Sequence, residues 1–79
     1  MKTLRVDCSG GGYVFVPETA WDAFAAGRPY VGPARYANQE HKSEMIVSAA
    51  GASVVRLEVP WLECWGSDWV TNLGLPLQP

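Results

Sequence analysis

At 79 residues the chain has room for one domain, spanning 1–79, which would bury roughly 60% of its unfolded surface. With 48% of residues hydrophobic and 18% charged it is too apolar for a disordered chain. A net charge of −2 excludes a general attraction to nucleic acid or to an anionic membrane.

The first residues, Met1-Lys2-Thr3-Leu4-Arg5, carry no apolar stretch of the kind a secretory signal needs, and no run approaches membrane-spanning length. The expected location is therefore the cytosol of a host cell, with no membrane partner. Leu4, Val6 and Cys8 alternate with Arg5 and Asp7, the period of a half-buried strand. Gly10-Gly11-Gly12 supplies a turn, and Tyr13-Val14-Phe15-Val16 reads as a second strand covered on both sides. Pro17 closes that strand and opens a helix expected over 17–26, with Ala20, Trp21 and Phe24 as its core stripe. Gly27 and Pro29 stop it.

Residues 28–43 show no apolar period and are expected to form a long loop. Arg28, Arg35 and Lys42 against Glu40 make it a basic stretch on an acidic protein. A third strand is expected over 45–49 and a fourth over 54–59, where Val55, Leu57 and Val59 alternate with Arg56 and Glu58. After Val59-Pro60 come Trp61, Leu62 and Trp65, read as a helical turn, then a second turn with Trp69 and a tail over 75–79. A competing reading runs 54–65 as one bent strand with Pro60 at an edge or bulge. The Val-Pro steps at 16–17 and 59–60 echo each other. The whole predicts an α+β fold: a ββαββα-like, four-stranded, mostly antiparallel sheet with one main helix and short C-terminal helical turns.

The residues that could carry chemistry do not assemble into a motif. Gly10-Gly11-Gly12 lacks the lysine and hydroxyl of a phosphate loop and is followed by a strand. His41, Cys8 and Cys64 have no local metal-ligand spacing, and the two cysteines are expected as free, buried thiols in a reducing compartment. Glu63 and Asp68 are ordinary solvated or capping carboxylates beside tryptophans. The chain therefore reads as no enzyme, with no cofactor and no metal.

Binding residues are easier to nominate. Arg28, Tyr30, Arg35, Tyr36 and Lys42 mix cations with aromatic rings, which suits an acidic protein surface or phosphates and stacked bases. Trp65 is assigned to the core, and Trp61 or Trp69 to an exposed position where it would anchor an interface.

A short chain, Met1-Lys2-Thr3-Leu4 leading straight into a strand, and no familiar motif give it a general character similar to small phage- and mobile-element-encoded inhibitors, anti-CRISPR proteins among them. Its charge departs from the strongly acidic DNA mimics of that class. The resemblance implies docking on a host CRISPR interference complex, a large protein or ribonucleoprotein, so that target DNA is not engaged. The expected function is thus a non-enzymatic protein-binding inhibitor. The alternative is a small nucleic-acid-binding module that uses the 28–42 stretch.

Overall fold

The computed structural model describes residues 1–8, 10–39 and 41–61. Among them are five strands and one helix: β1 (Lys2–Asp7), β2 (Tyr13–Pro17), α1 (Ala20–Ala25), β3 (Tyr30–Tyr36), β4 (Ser43–Val47) and β5 (Val54–Pro60). The strands form one sheet in the order β4-β3-β2-β1-β5, every neighbouring pair antiparallel. The expected α+β architecture, with four strands and a main helix, is therefore corrected to a five-stranded antiparallel β-sheet with one short helix. The expected C-terminal helical turns lie outside the described residues.

The missed strand is β3, placed where a loop was expected. Its sequence, Tyr-Val-Gly-Pro-Ala-Arg-Tyr, hides the alternation behind Gly32 and Pro33. Two neighbours also divide its length: Arg35 and Tyr36 pair with β2, whereas Tyr30 to Ala34 pair with β4. Pro33, which has no N–H to give to a ladder, lies opposite Glu44, just before the change of partner between Ala34 and Arg35.

Period-2 geometry then sorts the side chains. On one face Leu4, Val6, Val14, Val16, Ala34 and Val47 meet Ala20 of α1, with Phe24, Tyr30, Met45 and Val54 packed around them. On the opposite face Phe15 and Leu57 meet Ala37 and Trp61, with Tyr13, Val55 and Val59 at the margin. Burial of each such large side chain stabilises the fold by about 1.5–3 kcal/mol. Because β2 faces apolar neighbours on both sides, its Val14-Phe15-Val16 run shows no polar alternation.

The helix is shorter than the expected 17–26 because Pro17 remains in β2, opposite Thr3 of β1. Glu18 does not serve the helix either. Its carboxylate accepts the Lys2 backbone N–H at 3.1 Å and pairs with Arg56 at 3.0 Å, tying β1, β2 and β5 together. The stop signal works as expected. Gly27 takes φ 74°, Gly27 N–H donates to Phe24 O and Arg28 N–H to Ala23 O, a Schellman closure. Strand β5 runs through Pro60 as an edge strand, with a register irregularity opposite Lys2 and Thr3. The two Val-Pro steps thus both end strands that flank the start of β1, and the symmetry suggested by their echo goes no further.

Candidate docking surface

The cations expected to form a basic patch are spread over different environments. Arg28 is exposed, in the turn after α1. Arg35 is 0% exposed. Its Cζ lies 5.0 Å from the Phe15 ring centroid, and its Nη1 donates to the carbonyls of Tyr36 and Gln39. Lys42 is half-buried with its Nζ 4.8 Å from the centre of the Trp61 ring. Arg5, on the same face as Arg35, stacks 4.1 Å from the Tyr13 centroid and pairs with Asp7 at 3.1 Å. Alternation along β1 and β3 turns Arg5 and Arg35 inward, where aromatic rings of β2 receive them. These guanidinium groups hold the fold together and do not project as a surface for phosphates.

The aromatic residues divide similarly. Tyr30 opens β3 half-buried, its hydroxyl donating to Pro33 O at 2.9 Å and its ring lying over Gly32. Burial, and secondarily the nearby Glu44 carboxylate, raises its pKa above the usual phenol value. Tyr36 is exposed on the helix face, paired with Val14.

Two tryptophans exchange their expected places. Trp61 is 6% exposed, because its backbone N–H bonds Met1 O and seats the indole beside Phe15 and Leu57. Trp21, assigned to the core, is 49% exposed: α1 has only six residues and buries Ala20 instead. Trp69 and Trp65 lie outside the described residues. So do Glu63, Asp68 and Cys64. Cys8, expected buried, is an exposed free thiol, since β1 ends at Asp7 and Cys8 already belongs to the glycine turn. His41 is exposed. Among the described residues no three His, Cys, Asp or Glu side chains gather into a metal-binding group, and no helix is long and apolar enough to cross a membrane.

Among the described residues, the depressions on the helix face include two lined by strand residues. Trp21, Leu4, Val54 and Arg56 line a groove of about 320 Å³ between α1 and β5. A larger cleft, about 480 Å³, opens between β4 and the end of β1, with Val14 and Tyr36 on its floor. Neither was anticipated from the sequence. Of the nominated residues, Tyr36 lines the larger cleft and Arg28 a hollow of about 90 Å³ beside Phe24. Comparison with family models, with curated proteins and with solved structures returned no match to this chain.

Proposed function

We propose that the chain is a non-enzymatic inhibitor that works by docking on a larger protein, and that the Trp21 groove is part of the docking surface. The observation that carries this reading is a half-exposed indole bordering a groove beside the guanidinium of Arg56. Tryptophan and arginine are the residue types that dominate binding hot spots. Glu18 pairs with the Arg56 guanidinium at 3.0 Å beside this groove. The resemblance to anti-CRISPR proteins names one partner class, a CRISPR interference complex.

The inward stacking of Arg35 favours protein contact over the nucleic-acid alternative, since it removes a cation from the 28–42 stretch. The test is an electrophoretic assay of target-DNA engagement by purified interference complexes, titrated with the chain and with Trp21→Ala. Loss of DNA engagement with the parent chain, weakened about tenfold or more by the substitution, supports the proposal. Equal potency of the two chains removes Trp21 from the interface, and no effect of either on any complex overturns the anti-CRISPR assignment.

A further inference from the structure

The face of the sheet opposite α1 is shut from water to a degree that the described residues do not account for. Antiparallel pairing lays its side chains in rows. Arg35 of β3, Phe15 of β2, Arg5 of β1 and Val55 of β5 stand opposite one another in one row, and Pro17, Thr3 and Leu57 in the next. Residues paired in this way project to the same face. Phe15, Arg35 and Thr3 are 0% exposed, Leu57 1% and Arg5 3%.

Strand neighbours flank such side chains but do not cap them, so full burial on a sheet face needs a second layer. On the other face α1 supplies it, through Ala20 and Phe24. Here the described residues supply Ala37, in the turn after β3, and Trp61 at the end of β5. The Arg35 guanidinium lies over the Phe15 ring and that of Arg5 over Tyr13, so the cations stand outside the rings of β2. Both arginines are themselves buried, which places a further layer beyond them.

The chain leads to this face. Trp61, after which residues 62–79 follow, packs with Phe15 and Leu57 and holds Met1 O through its backbone N–H. Five strands about 4.8 Å apart make a sheet roughly 19 Å wide, which about six extended residues cross, so 62–79 is long enough to cross it and return. Its composition also suits the face. Leu62, Trp65, Trp69, Val70 and Leu73 are apolar, and its charged residues, Glu63 and Asp68, are opposite in sign to Arg5, Arg35 and Lys42.

We infer that residues 62–79 fold back over the Arg35–Phe15–Arg5 row as the second layer of the sheet. The face is then closed by the chain itself and is no docking surface for a partner, which leaves recognition to the side that carries α1. This inference is independent of the docking reading, since its test involves neither Trp21 nor an interference complex.

The test is nuclear Overhauser spectroscopy on the full chain, in a mixture of isotope-labelled and unlabelled protein. Expected are contacts from the Phe15 ring and the Leu57 methyls to side chains of 62–79, Trp65 or Leu73 among them, within single molecules. Contacts that arise only between labelled and unlabelled molecules would assign the face to a second copy and overturn the inference. The absence of any contact from Phe15 and Leu57 to 62–79 would overturn it as well.

Discussion

The Arg5–Asp7 pair shows how a charge can sit inside a chain this small. Arg5 is 3% exposed, with its guanidinium on Tyr13 and one nitrogen on Asp7, while Nε and Nη1 find no hydrogen-bond partner among the described residues. Such pairs contribute little net stability, but removing one partner is costly. Asp7→Ala should therefore destabilise the fold by about 2 kcal/mol, and Arg5→Met with Asp7→Ala by distinctly less, as read from urea midpoints. Equal loss in both would show that the pair itself is the source of stability. Gly32 sets a second constraint. A Cβ there would come within 2.7 Å of the Tyr30 hydroxyl oxygen, so Gly32→Ala must displace a ring held by its bond to Pro33 O, at about 1 kcal/mol. Tyr30 also gives the stability curve an alkaline limb. Its folded pKa is raised above the unfolded value of 10.0, so its contribution is complete below pH 10.0 and lost as pH climbs through the folded value. Titration of phenolate absorbance should show one tyrosine ionising late, and Tyr30→Phe should abolish that late step.

The elements that could be read from sequence are those in which one face is apolar and the other polar. Alternation in β1 and β5 was visible because Arg5, Asp7, Arg56 and Glu58 mark it, even though Arg5 proves to be inside. The Gly27 closure of α1 was legible because a positive φ selects glycine, and Gly27→Ala should cost about 1 kcal/mol in the same denaturation experiment. Strand β3 was not legible. Gly32 and Pro33 look like loop residues, and Arg35 and Tyr36 look like surface residues, until a neighbouring ring is seen to receive the guanidinium. Pro17 remains paired with Thr3, and in the short helix that follows Ala20 is the buried position while Trp21, the next residue round the turn, borders the groove beside Arg56. Of the residues first nominated for binding, Tyr36 and Arg28 stay at the surface, whereas Arg35 and Trp61 serve the interior.

At the scale of the molecule, both faces of one sheet are apolar, which leaves most aromatic and cationic side chains committed to packing. The half-exposed Trp21 indole lies at the margin of this sheet, in the groove beside Arg56 on the β5 side. Docking of the kind proposed buries this apolar margin and makes no phosphate contact. The measurement that tests this most directly is the dissociation constant of the bound partner as a function of salt, for the parent chain and for Trp21→Ala. The affinity should change little between low and high salt and fall about tenfold or more with the substitution. A steep, linear loss of affinity with the logarithm of salt concentration, unaltered by Trp21→Ala, would contradict it.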